Sequence, residues 1–244
     1  MKRIFVVQFR ARPEMLEAER AEYKRATGEG AEIEFESALN TAREWDAPQK
    51  ILAGFDGIIL GGSGEFDLHG GREENDTARV TAREVLGRMK KFVSYTVQND
   101  IPVLGICFGH QVIAEIYSGN VTNDHLQKKV GSFEVNVLPE GKQDLLFQTV
   151  PSPFIAQYGH KDSVTSLPQG ATLLATGPAC KFSALRYGSK IYSTQFHPEL
   201  TAKDVAWKLA NSPGYLPEGV SVESIVKESP EASKIIPLWI EKIV

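Results

Sequence analysis

Cysteine is scarce in this chain: Cys107 and Cys180 are the two among 244 residues, too few to staple a domain, so the disulfide-rich secreted class is excluded. Long apolar runs are missing as well. No uncharged stretch approaches the roughly 20 residues of a membrane span, and the N-terminal run Ile4–Val7 is shorter than a signal-peptide core, with no small-residue cleavage site behind it. The expectation is a cytoplasmic protein with free thiols and no membrane partner. Basic charge is in no excess, with 27 Lys and Arg against 31 Asp and Glu, and this argues against a nucleic-acid partner. Neither a Gly-x-x-x-x-Gly-Lys-[Ser/Thr] loop nor a dinucleotide fingerprint occurs, and no cofactor or metal is expected.

The acidic surplus is local. Glu14, Glu17, Glu19, Glu22, Glu29, Glu32, Glu34 and Glu36 face only Arg20, Lys24 and Arg25, and the segment reads as a solvated helix face followed by a strand. With 42% hydrophobic and 24% charged residues, the composition is that of an ordinary globule able to bury one sizeable core.

Short apolar runs at Ile4–Val7, Ile33–Phe35, Ile58–Leu60 and Val103–Ile106 alternate with longer stretches, the cadence of a parallel α/β sheet. The stretch Pro13 to Thr27 opens on Pro and ends before Gly28, and predicts a helix with Met15, Leu16 and Ala18 on one side. Thr77 to Asn99 predicts a second, with Val80, Val85, Met89 and Phe92 at helical spacings. After residue 120 the segments alternate, as in Ser132–Val137 and Lys190–Phe196, so this half is expected to be antiparallel at the sheet edge. Helical patterns resume from Thr201, broken at 211–214 and 216–219, and end in Lys234–Val244. The division expected is a domain over 1–200 with a helical tail, 201–244, packed on it.

The most informative segment is Ile101 to Tyr117, where a buried-type strand meets a helix through Gly105-x-Cys107-x-Gly109. Flanking glycines permit a sharp turn that projects the central side chain at the carboxyl edge of the sheet. A helix N-terminus favours a thiolate there, and its free N–H groups face a developing oxyanion. Packing in a tight turn is the competing reading of Cys107; Cys180 has no elbow and no nearby His, and reads as packing.

A cysteine nucleophile needs a base, and the base an orienting group. His69 and His125 read as loop residues, and His110 sits too close in sequence to Cys107 to turn back on it. Two histidines have a carboxylate two positions on: His160-Lys161-Asp162 and His197-Pro198-Glu199. In an extended segment residues i and i+2 point the same way, so either pair qualifies. Pro198 favours the second, because it holds His197 extended and fixes its own φ. His160 otherwise reads as a loop histidine capped by Asp162.

These residues resemble the class I (Cys-His-Glu triad) glutamine amidotransferases, in particular the glutaminase portion of GMP synthase. Ile58-Ile-Leu-Gly-Gly62-Ser resembles that family's Gly-Gly loop, Pro102 to Gln111 its nucleophile elbow, Tyr158 to Asp162 its His-x-Asp loop, and Thr194 to Glu199 its His-x-Glu motif. The resemblance covers roughly residues 1–200. It implies a three-layer, flavodoxin-like architecture with a mostly parallel central sheet and an antiparallel edge. It also implies that Cys107 attacks the side-chain amide of glutamine and that the Phe108 and Gly62 N–H groups hold the oxyanion. His197 then serves as acid and base, oriented by Glu199, and Gln111 shapes the glutamine pocket or makes local hydrogen bonds. Ammonia would go to a separate synthase chain, since the 44 residues after Leu200 are too few for an ATP-using domain.

Two departures from the family pattern bear on the substrate. Lys129 stands on the strand that helps hold the amino acid, and Glu65–Asp76 is longer than the family loop, a lid or a polar surface loop. They leave a γ-glutamyl amide or peptide hydrolase as the alternative enzyme, and a non-catalytic binding or regulatory module as the alternative from another class.

Overall fold

The computed structural model describes residues 1–178, 180–212, 216 and 219–244. Strands β1 (Lys2–Gln8), β2 (Ala31–Ser37), β3 (Gly57–Leu60) and β4 (Val103–Ile106) are those expected from the apolar runs. They are followed by β5 (Val121–Asn123), β6 (Lys129–Val137), β7 (Phe154–His160), β8 (Asp162–Val164), β9 (Ala171–Gly177), β10 (Cys180–Tyr187) and β11 (Ile191–Thr194). The helices are α1 (Pro13–Thr27), α2 (Pro48–Ile51), α3 (Thr77–Gln98), α4 (Phe108–Ile116), α5 (Pro139–Lys142), α6 (Ala202–Ala210), α7 (Val222–Ile225) and α8 (Ile235–Lys242). The predicted break residues Pro213, Gly214, Pro217 and Glu218 lie outside the described residues.

Nine strands form one sheet in the order β2-β1-β3-β4-β11-β10-β9-β6-β7. The first five are parallel and the remaining pairings antiparallel. The mostly parallel sheet with an antiparallel edge is therefore present. One segment differs from expectation: β11, within the run Lys190–Phe196, is an interior strand that pairs parallel with β4 and antiparallel with β10. Its short alternating pattern carries no information on strand direction, which is decided by its neighbours.

Alternation along β1 divides the core. Ile4 and Val6 face one layer, with Tyr23 of α1 and Trp239 of α8, while Phe5 and Val7 face the other, with Val85 and Phe92 of α3 and Val112 of α4. Residues beyond 200 thus share a cluster with β1. Helix ends follow local chemistry: Pro13 opens α1, the Asp76 side chain caps α3 by accepting from the Ala78 N–H, and Thr201 and Asp204 form a capping box on α6.

Two predicted helix faces are corrected. Val80 is exposed and the buried stripe of α3 runs through Ala82, Val85, Met89 and Phe92. In α1 the inward face is Met15, Glu19, Glu22 and Tyr23, so two glutamates of the acidic segment are buried rather than solvated. Their counter-charges come from elsewhere in the chain: Arg10 Nε donates to Glu19 at 2.8 Å and Lys208 Nζ lies 2.9 Å from Glu22. A charge-spacing argument cannot see partners so distant in sequence.

Candidate active site

The site lies at the carboxyl ends of β1, β3, β4 and β11. Strand β4 runs into Cys107, which has φ 53° and ψ −97° and caps α4. A positive φ is costly for a non-glycine residue and persists only where the surroundings hold it. Here the Cys107 N–H donates to the Thr194 carbonyl at 2.8 Å and its carbonyl accepts from Gln111 N–H at 3.1 Å. The glycines at either side of the elbow are dictated by space: a Cβ at Gly109 would run into the Leu60 carbonyl, and one at Gly105 would lie 2.6 Å from Ile113 Cδ1. Phe108 and Gly62, the residues expected to offer N–H groups to an oxyanion, donate no backbone hydrogen bond among the described residues.

Gly62 binds the site together. A Cβ there would lie 2.9 Å from His197 Cε1 and 3.6 Å from the Cβ of Cys107. His197 follows β11 and is kept extended by an antiparallel bridge to Gln157, whose carbonyl accepts its N–H at 2.8 Å. Its Nδ1 meets Oε1 of Glu199 at 2.6 Å, with both side chains buried. Burial alone would lower the imidazole pKa, but the Glu199 carboxylate and the Cys107 sulfur outweigh it and raise it above the ordinary histidine range. Cys107, His197, Glu199 and Gly62 are thus brought together from three separate stretches of chain.

The other histidine pair is built differently. His160 is the last residue of β7, not a loop residue, and its Nδ1 faces the Asp162 carbonyl oxygen at 2.9 Å. The Asp162 carboxylate points elsewhere and accepts the His69 and Gly70 N–H groups at 2.7 and 2.6 Å. Burial holds the imidazole of His160 down at about 4. His110 is wholly buried against Ser193 Oγ, at about 3 for the same reason. Cys180 is buried and its thiol is pushed up to about 12 by desolvation.

Three parts of the expected pocket take definite places in the fold. The Gln111 amide donates to the Asp162 carbonyl at 2.7 Å, so this side chain ties α4 to β8 across the fold rather than bonding locally. The Lys129 ammonium sits 5.3 Å from the centre of the Phe133 ring, outside the cavity that adjoins His197. Segment Glu65–Asp76 is clasped at three points: by Glu65 to the Ala11 and Arg12 N–H groups, by an Asp67–Arg72 ion pair, and by Asp162. One residue at the site escaped sequence reasoning. Arg10, just past β1, lines the cavity, and the only available signal was its place at the carboxyl end of a parallel strand. Among the described residues no group of three or more His, Cys, Asp or Glu is arranged to hold a metal ion, and no helix is long and apolar enough to cross a membrane.

Residues 30–209 match the family model of Glutamine amidotransferase class-I, and the chain belongs to that family. It is 30% identical over 154 residues to the A-subunit of GMP synthase (glutamine-hydrolyzing) from Archaeoglobus fulgidus, covering 63% of this chain and 71% of the relative. The equivalent protein of Methanosphaera stadtmanae, of the same name, is 34% identical over 118 residues, 48% of this chain, and the match spans about three-fifths (60%) of that relative's length. A solved glutamine amidotransferase from Thermotoga maritima superposes with a TM-score of 0.71 over 99% of this chain and 97% of its own, at 18% identity, a likeness of fold.

Proposed function

We propose that this chain hydrolyses the side-chain amide of glutamine through Cys107, His197 and Glu199. The observation that carries the reading is the 2.6 Å contact of His197 Nδ1 with Glu199, beside a cysteine at a strained helix N-terminus. The Cys107 sulfur adds to the amide carbon. The oxyanion accepts the Phe108 and Gly62 N–H groups, each donor contributing about 3 kcal/mol in such sites. His197 gives its proton to the departing ammonia as the C–N bond breaks, then takes one from the water that hydrolyses the γ-glutamyl thioester. Glu199 fixes the ring and balances its charge. Residues 1–200 form the catalytic unit and 201–244 a tail packed on it.

Ammonia in neutral water is mostly ammonium and is not nucleophilic. The relatives carry the name of the GMP synthase A-subunit, which supports delivery to a separate synthase subunit. The test is glutamate release by the isolated chain, with and without such a partner. Expected is a slow basal rate that rises on adding the partner and disappears in Cys107→Ala. Wild-type hydrolysis by Cys107→Ala would end this reading.

A further inference from the structure

A cavity of about 80 Å³ is lined by Gly159 and by His197, which gives its proton to the departing amine in the mechanism above, and Met15, Val205 and Leu209 supply apolar wall. One water, or one ammonia, requires roughly 10–15 Å³ on this measure. The space is several times what the leaving group of glutamine needs.

Arg10 forms its polar edge. The residue is 5% exposed, and its one side-chain hydrogen bond among the described residues is from Nε to Glu19. Nη1 and Nη2 have no hydrogen-bond partner among the described residues and border the cavity. Donors left open to a cavity can receive a ligand, and the planar fork of a guanidinium matches a carboxylate. The missing Cβ of Gly62 marks a point 3.6 Å from both Arg10 Nη2 and Cys107 Cβ, so the open edge of Arg10 borders the reacting centre. The other cations of the wall are engaged, Lys208 with Glu22 and Arg12 with Ser212 and Glu65. In a γ-glutamyl amide of an α-amino acid, one carbon separates the scissile nitrogen from the carboxylate, a spacing suited to so near a receptor.

We infer that the cavity is a leaving-group subsite in which Arg10 receives the α-carboxylate of an amino acid joined to the γ-glutamyl carbonyl, so that γ-glutamyl amino acids are substrates alongside glutamine. The inference rests on the thiol mechanism above and changes only the amine: the C–N bond breaks, the amino acid takes the His197 proton, and water frees glutamate from the thioester.

The test compares γ-glutamylglycine with γ-glutamylglycinamide, which differ only in the carboxylate. Wild-type kcat/KM should favour the acid by about 10-fold or more, as for a hydrogen-bonded charged contact. Arg10→Gln should bring the ratio close to one, with Arg10→Lys between. A ratio taken within each variant cancels any general loss of activity, and Arg10→Gln combined with Glu19→Gln avoids an unpaired buried carboxylate if the single variant misfolds. Turnover of neither compound overturns the inference, and where the acid does turn over, calorimetry on Cys107→Ala should show the same 10-fold preference in affinity. Equal handling of the two compounds, in turnover or in binding, overturns the subsite. Glutamine hydrolysis in the same series separates the two ideas: if it persists with equal handling, only the subsite falls, and if it is absent, the thiol reading falls.

Discussion

His197 Nδ1 lies 2.6 Å from Glu199 Oε1, whereas His160 Nδ1 lies 2.9 Å from a backbone carbonyl, that of Asp162. A carboxylate partner stabilises an imidazolium; a carbonyl only orients the ring. His197→Asn is therefore expected to lower kcat by about 10²–10⁴, and Glu199→Gln by a comparable factor because the ring loses its counter-charge. His160→Asn should act mainly on KM. Steady-state kinetics of the three variants checks this, and the reverse ranking of the two histidines moves the base to His160.

The two thiols should differ sharply in reactivity. Cys107 stands at a helix N-terminus beside His197, and Cys180 is buried with its thiol pushed up to about 12. A glutamine-like electrophile at neutral pH should label Cys107 and spare Cys180. Peptide mapping by mass spectrometry reads the outcome, and equal labelling of both refutes the assignment.

Acid stability follows from two neutral histidines. His160 and His110 are held at about 4 and about 3 by burial, below the roughly 6.5 of the unfolded chain. The unfolded state binds their protons first, so stability falls as pH drops from about 6.5 towards 4. His197, raised instead, is protonated in both states over this window and does not offset the loss. Denaturant melts of the wild type should lose about 3 kcal/mol or more across that interval, and His160→Asn should flatten part of the slope. An unchanged slope in that variant excludes His160 as a source.

Asp162 holds the segment after the Gly-Gly loop, through charge-assisted bonds from His69 and Gly70 N–H groups. Asp162→Ala is expected to cost about 2–4 kcal/mol and to speed amide hydrogen exchange at residues 69 and 70. Protection unchanged at those two amides contradicts the clasp.

Gly109→Ala tests the elbow itself. The added methyl meets the Leu60 carbonyl, a backbone atom that cannot turn away, and destabilisation of about 3 kcal/mol or more is expected from thermal melts. A variant as stable as the wild type shows that the elbow can open.

Much of this protein was determined by local sequence. Apolar runs and their punctuation specify β1 to β4 and the bounds of α1 and α3, because strand and helix periodicities are properties of neighbouring residues. Gly105, Cys107 and Gly109 mark the elbow for the same reason, and the two histidine–carboxylate pairs are visible as i, i+2 spacings.

Tertiary structure decided what spacing cannot express. His160 and His197 have the same local pattern, and only the fold turns the Glu199 carboxylate to its ring while Asp162 is drawn off to the N–H groups of residues 69 and 70. Glu19 and Glu22 read as solvated charges, yet Arg10 and Lys208 make their burial tolerable. The interior, parallel place of β11 depends on β4, nearly ninety residues upstream. Hydrogen-bond partners and counter-charges are chosen in space, so a pattern read along the chain finds the side chains that are able to react and leaves their pairing to the fold.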